Sequence, residues 1–468
     1  MKIQRRCLRT AATGWLLLGL FGTPGRLVFG QTPGPSPADL DQMVSSALGT
    51  TGAPSASVAV VRNGELVYQK AFGKADIEKN RQATENTRYA VGSISKQFTV
   101  AALLLAEEQG KLSLDDKVSK FYPDLTRANE ITIRELLSHT SGYEDYAPQD
   151  YMIPEWLKHI EADAILDRWA KKPLNFDPGT KWEYSNTNYV LAGKIFEKVS
   201  GQPLVPFLQE HIFRPLEMRS AGDCEEASPE DATAYTRYAL GPPRPVAREA
   251  EGWYFAAGEL CMTPSDLARW DIAFLAKRIL SAKSYEEFTK EAMLKDGRPT
   301  HYALGLGVGD LHGTPMISHS GEVSGFLAIN RVFPSKGVGV VVLTNEDGVN
   351  LIGPLSQDIS LAMIEPSSSA KIDGEVRTIL EGLQQGRIDR ARFTSNANFY
   401  FNEAALNDYR NSLALLGKLQ SVMRQNEQGR GGMTHLSYRA QFEKKSVVLN
   451  IFLTHDGKFE QFLVEEQL

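Results

Sequence analysis

The sequence predicts an α/β (α+β) fold: one antiparallel sheet flanked by helices, with a helical subdomain inserted into it, followed by a small α+β domain. Three observations carry this expectation. "SASVAVVRNGELVYQKAFG" sets two β-rich runs on either side of Asn63-Gly64, a strong hairpin signal, near the N-terminus. "VGVVVLTN" has the continuous β-branched run of a buried strand and comes almost 300 residues later, with helix-spaced segments between the two. Near "EPSSSAKIDGE" the composition turns small and polar, which marks a linker, here residues 366–371. The expected domains are therefore 31–365 and 372–468.

Residues 1–30 stand apart from this scheme. "MKIQRRCLRT" is cationic and precedes the short apolar run "AATGWLLLGLF", the pattern of a secretory signal peptide with a cleavage point before Gln31. The run is too short to span a bilayer, which takes about 20 apolar residues. Arg5 and Arg6 sit where a twin-arginine signal would place them, although the ordinary export route stays open. The alternative is a retained anchor. The expected location is periplasmic or extracellular.

After a Pro-rich lead, "ADLDQMVSSALG" reads as a helix and the Asn63-Gly64 hairpin follows. From Ser93, "SISKQFTVAALLLAEEQGKL" is apolar on nearly every face, so it predicts a helix enclosed by the fold, stopped at Gly110 and Lys111. "TIRELLSHTSG", "EADAILDRWAKK" and "NYVLAGKIFEKVSG" carry helix spacing in the middle third. Beyond the linker, helical stretches ending in "NEAALNDYRNSLALLGKL" precede the strands "THLSYRAQFE", "KSVVLNIFLTH" and "KFEQFLVEE", the last two joined by Asp456-Gly457. By element order alone this domain resembles cystatin- or NTF2-like folds, and no chemistry is assigned to it.

Without residues 1–30 the chain has 46 basic against 57 acidic residues, a net charge of −11. That balance argues against nucleic acid and anionic membrane as partners. Cys224 and Cys261 remain after removal of Cys7; they form either a disulfide or two separate buried thiols. No His-Glu-x-x-His occurs and neither cysteine has a partner at zinc-ligand spacing, so no metal and no cofactor is expected. Gly-x-Ser-x-Gly, the lipase-type nucleophile motif, is also absent.

Three short motifs remain as candidates for chemistry. Ser93 and Lys96, three residues apart, would share a helix face, and a serine hydroxyl needs a neighbour such as a lysine discharged by burial to take its proton. The pattern recurs at Ser368 and Lys371, but there it lies in the linker. Tyr184 and Asn186 in "WEYSNTNYVLAG" stand before an apolar helix; a tyrosine near an ammonium is biased towards phenolate and could take a proton, while asparagine offers both a donor and an acceptor. Tyr-x-Asn recurs at Tyr400/Asn402 and Tyr409/Asn411, where a core aromatic beside a capping asparagine suffices. In "ISHSGEVSGF", His319, Ser320 and Gly321 lie on an expected strand, whose edge would let the backbone N–H groups of Ser93 and Glu322 form an oxyanion hole.

Taken together, "SISK" opening a buried helix, then "YSN", then "HSG" on a late strand resemble the serine β-lactamase and penicillin-binding-protein superfamily, most of all its class C-like branch of D,D-peptidases, D-aminopeptidases and esterases. "LLSHTSG", "AAGELCMTPSDLARW" and "HSGEVSGFLAINRVFP" support the resemblance, which covers roughly residues 38–365. It implies that Ser93 is the acylated nucleophile, that Lys96 and Tyr184 form its proton-transfer pair, and that Asn186, His319, Ser320, Gly321 and Glu322 bind substrate. The implied substrate is a small molecule or cell-wall peptide with an amide or ester bond: a β-lactam, a D-amino-acid peptide or a small ester. One departure stands out, because His319 replaces the lysine of a Lys-Thr-Gly motif that would fix a substrate carboxylate, and a histidine is only partly charged near neutral pH. The alternative function is a penicillin-binding sensor of the same fold that holds its ligand without turnover.

Overall fold

The computed structural model describes residues 34–364 and 369–466. The expected signal peptide lies outside the described residues, as do positions 366–368 of the expected linker; 369–371 already belong to the helix Ser369–Gln384. Seven strands form the main sheet: β1 (Ser55–Arg62), β2 (Glu65–Asp76), β3 (Arg81–Gln82), β4 (Gly307–Leu311), β5 (Thr314–Val323), β6 (Phe326–Phe333) and β7 (Val338–Thr344). Their spatial order is β3-β2-β1-β7-β6-β5-β4, and all neighbours are antiparallel. The N-terminal hairpin therefore zips onto the late meander through β1 and β7, with Ser57 opposite Leu343 and Arg62 opposite Val338. The chain between β3 and β4 forms the inserted, mainly helical region.

Burial explains the run of β-branched residues in the central strands. Both faces of β1 and β7 are covered, so successive side chains enter two different cores. Val58, Val60, Val340 and Val342 pack against α1 (Pro37–Thr51) and a late helix, Ile352–Ile364. Ala59, Val61, Val341 and Leu343 belong to the larger core that the helical region builds on the opposite face. Each fully buried valine or leucine contributes about 1.5–3 kcal/mol. A one-residue slip of β1 on β7 would exchange the two sets, and this fixes the register that brings the ends of the domain together.

α2 (Ser95–Glu108) runs through the larger core with Phe98, Val100, Leu103 and Leu104 buried, as its unbroken apolar pattern predicts. Its start differs from the expectation: Gly92–Ile94 is a 3₁₀ turn, so Ser93 precedes the α-helix. "TIRELL" is helical only over Ile133–Leu137, opened by a capping box of Thr132 and Glu135. α3 (Asn186–Ser200) follows Tyr184 and ends at the left-handed Gly201. Cys224 and Cys261 are joined in a disulfide, which resolves the two alternatives left by the sequence. No helix among the described residues is long and apolar enough to cross a membrane.

The C-terminal residues build a separate four-stranded antiparallel sheet in sequential order, Leu419–Arg430, Met433–Phe442, Ser446–Leu453 and Phe459–Glu466. Helices including Ser369–Gln384 and Glu403–Ala414 help form its own core, with Leu380, Leu383, Phe401, Tyr438, Leu449 and Phe459 buried. The first of these strands is absent from the sequence expectation. Its outer half, "QNEQGR", is exposed and polar, so neither period nor hydrophobicity marks it, and Gly431-Gly432 supplies the turn.

Candidate active site

Two glycines let two backbones cross at the heart of the site. Gly92 has φ +50°, and a Cβ there would lie 2.9 Å from the backbone nitrogen of Glu322. A Cβ on Gly321 would lie 1.9 Å from the Val91 carbonyl oxygen and 3.1 Å from the Ser93 backbone nitrogen. Only residues without a side chain permit this approach, and it sets the turn bearing Ser93 against β5. The short strand Leu260–Met262 supports the turn from the other side: Val91 donates to the Leu260 carbonyl at 2.9 Å, and Leu260 N–H donates to Ser95 Oγ at 3.1 Å. Cys261, and with it the disulfide, lies in that strand.

Ser93 Oγ sits between the two side chains that its motif requires. Lys96 Nζ donates to it at 2.9 Å and the Tyr184 hydroxyl at 2.7 Å. Lys96 is buried, and its other partners are Asn186 Oδ1 and the Ala257 carbonyl, both at 2.8 Å. Burial pushes the Lys96 ammonium down to about 7, against the opposing field of Asp145. Near neutrality a substantial fraction of Lys96 is therefore a free amine with a lone pair beside Ser93. Tyr184 departs from the phenolate expectation. Burial raises its pKa and the nearby Asp145 charge adds to this, while the contact with Ser93 only partly offsets them, so Tyr184 is a neutral phenol that donates to Ser93 Oγ.

Several partners of this cluster carry no signal in the sequence. Asp145 accepts from the Asn186 backbone N–H at 2.9 Å and from its side-chain amide at 3.2 Å, which turns the Asn186 oxygen towards Lys96. His139 is buried with φ +59°, and its ring stacks at 4.3 Å from that of Tyr184. Its Nδ1 accepts from Ser185 N–H at 3.2 Å, leaving the proton on Nε2. Desolvation holds His139 well below the ordinary histidine range, with Lys96 and His319 acting in the same direction. "LLSHTSG" contains His139, but nothing in its spacing shows that the ring will lie under Tyr184.

The remaining candidates line the same cleft. Ser93, Tyr184, Asn186, His319, Ser320 and Glu322 all face it, and Gly321 lies behind them at the backbone crossing. His319 is buried and drops to about 4, chiefly through desolvation and then through the Lys96 charge, so it is neutral rather than partly charged. Both its nitrogens are engaged: Nε2 with the Tyr302 hydroxyl at 2.8 Å and Nδ1 with the Ser320 carbonyl.

The Beta-lactamase family model matches residues 40–353. A Bacillus subtilis (strain 168) protein named for penicillin binding, PbpX, is 31% identical over 309 residues, covering 65% of this chain and 73% of its own length. The structure of a D-stereospecific amidohydrolase from a Streptomyces species superposes with a TM-score of 0.61 at 26% identity, over 71% of this chain and all of that one. The octameric penicillin-binding protein homologue from Pyrococcus abyssi gives a TM-score of 0.62 at 21% identity over 91% of this chain and 99% of its own, and so shares the fold.

Proposed function

The chain belongs to the Beta-lactamase family, and we propose that it is an exported serine hydrolase that cleaves amide or ester bonds through an acyl-enzyme on Ser93. One observation carries the reading: Lys96 Nζ and the Tyr184 hydroxyl both lie within hydrogen-bond distance of Ser93 Oγ, in a buried setting that holds Lys96 near neutrality. Unprotonated Lys96 accepts the Ser93 proton as Oγ attacks the substrate carbonyl. The carbonyl oxygen gains negative charge against the backbone N–H groups of Ser93 and Glu322. As the C–N or C–O bond breaks, Tyr184 passes a proton to the departing nitrogen or oxygen and is reprotonated from Lys96. Water then attacks the Ser93 ester, its proton following the same relay in reverse, and Ser93 is restored.

Substrates in this reading are small amides and esters, including D-amino-acid peptides and β-lactams. The similarity to a D-stereospecific amidohydrolase supports the amide side. The Cys224–Cys261 disulfide supports export into an oxidising compartment. The test is the intact mass of the purified protein after brief exposure to a penicillin and, separately, to an activated aryl ester. The expected result is a mass gain that decays within minutes and is absent in Ser93→Ala. A gain that persists for hours would make the protein an acylated sensor, and no Ser93-dependent gain with either reagent would remove the nucleophile assignment.

A further inference from the structure

The cleft at Ser93 has a volume of about 650 Å³, and no lysine or arginine is among its lining residues. Its acids are numerous. Glu144 and Glu183 are neutralised by Lys172 at 2.8 Å and Lys181 at 2.7 Å, and Asp145 is occupied by Asn186. Asp150, Glu249, Glu322 and Asp347 also line the cleft and have no ion-pair partner among the described residues. Glu249 uses one carboxylate oxygen to accept from the Ser324 hydroxyl at 2.7 Å; its other oxygen is buried and meets no partner in hydrogen-bonding geometry. The Tyr254 hydroxyl beside it is also buried outside strict hydrogen-bonding geometry, yet burial and then the facing Glu249 carboxylate hold it well above the ordinary tyrosine range, so the two groups address each other. Around these acids stand the rings of Tyr146, Tyr151, Trp156 and Tyr254.

The strand position that could have answered a carboxylate does not do so. His319 is neutral, and its two nitrogens are already committed to Tyr302 and the Ser320 carbonyl. A substrate carboxylate entering this cleft would lose water and find no lysine or arginine on its lining to replace it, whereas an ammonium would find unpaired carboxylates and aromatic faces. We propose that the cleft selects acyl donors carrying a free ammonium group, such as amino-acid amides and esters with an unblocked amine, over donors carrying a carboxylate. This rests on the Ser93 acyl-enzyme reading. Burial first, then the fields of Asp150 and Asp347, lift Glu322 to about 7, as expected of acids crowded together without a cation. An ammonium bound among them relieves that repulsion.

The test compares kcat/KM of the full-length protein for alanine 4-nitroanilides, both enantiomers, with the amine free, N-acetylated or N-succinylated, alongside uncharged 4-nitrophenyl acetate. The free amine is expected to exceed the N-acetyl compound by about tenfold or more, the worth of one well-placed charge contact, with the N-succinyl compound last. Glu322→Gln and Asp150→Asn should each lower the amine-to-acetyl ratio severalfold, and Glu322→Lys should raise the N-succinyl compound above the N-acetyl one. Reading the change in this ratio from wild type to variant cancels any through-bond activation by the ammonium and any general loss of activity. A wild-type ratio at or below one, or a ratio untouched in all three variants, overturns the selectivity. If 4-nitrophenyl acetate is turned over in a Ser93-dependent way while the ratio fails, only the selectivity falls. If no compound is turned over, calorimetric binding of alanine amide against N-acetylalanine amide to Ser93→Ala still reads the charge preference, and equal binding overturns it.

Discussion

Tyr184-Ser185-Asn186 and Tyr400-Phe401-Asn402 present the same motif in two domains, and each leads into a helix. At the second, the asparagine is an N-cap: Asn402 accepts from Ala405 N–H at 3.0 Å, while Tyr400 is 46% exposed. At the first, α3 begins at Asn186 itself, its preceding residue Ser185 makes no side-chain cap, and the asparagine turns inward to Lys96 and Asp145. The motif alone therefore does not distinguish chemistry from capping. What separates the two is what packs around them: an α2 that brings a lysine into the core in one case, and an ordinary apolar core of helices on a sheet in the other.

The largest expected contrast is between the two tyrosines. Tyr184→Phe removes the hydroxyl 2.7 Å from Ser93 and should lower acylation by an aryl ester by about 10²–10⁴-fold, the usual range for a proton-transfer group, with folding preserved. Tyr400→Phe should leave the rate unchanged. Stopped-flow acylation of both variants decides the matter, and equal rates would erase the distinction between the two motifs. The disulfide sharpens the contrast in stability. Cys224 and Cys261 are separated by 37 residues, and replacing both with serine should cost about 3–4 kcal/mol in denaturant unfolding of the catalytic domain. Five of the six tryptophans, Trp156 to Trp270, lie in that domain, and the sixth, Trp15, belongs to the expected signal peptide, so the fluorescence of the protein without residues 1–30 follows that domain alone. A shift confined to far-UV circular dichroism would contradict this expectation.

A smaller effect tests the field that holds Lys96. Lys96 must be unprotonated to act as a base, so kcat/KM for an uncharged ester should rise as pH increases through about 7 and be lost below it. The Asp145 charge favours the ammonium form. Asp145→Asn keeps an oxygen to accept from Asn186 but removes that charge, so the acidic limb should move to lower pH. A limb that stays in place or moves upward would show that Asp145 does not act on Lys96.

The fold was legible where burial left a periodic trace. The Asn63-Gly64 hairpin, the β-branched β7 and the all-apolar α2 follow from local rules, because each is a single element whose surroundings are uniform. Ser93, Lys96, Tyr184 and Asn186 could be singled out because short motifs mark them. Asp145, His139 and the Ala257 carbonyl could not, since each reaches the cluster from a loop or a remote segment through contacts that have no sequence period. The neutral state of Tyr184 was missed for the same reason: proximity to Lys96 was legible, but the desolvation that outweighs it depends on the whole surrounding fold. In the small domain the first strand was missed because half of it faces water.

Asn402→Ala gives the smallest effect and the cleanest separation of the two motifs. Loss of the cap leaves the Ala405 N–H without its partner and should destabilise the helix Glu403–Ala414 by about 1 kcal/mol. That helix belongs to the C-terminal core, which contains no tryptophan. Where the domains unfold independently, the shift should be visible in the far-UV circular dichroism transition and absent from the fluorescence transition, with acylation of Ser93 unaltered. The equivalent change at Asn186 should do the reverse, slowing acylation because Lys96 loses one of its three partners while the start of α3, which has no side-chain cap there, is little affected. If Asn402→Ala slowed acylation, the two domains would be coupled, and the second Tyr-x-Asn could no longer be treated as capping alone.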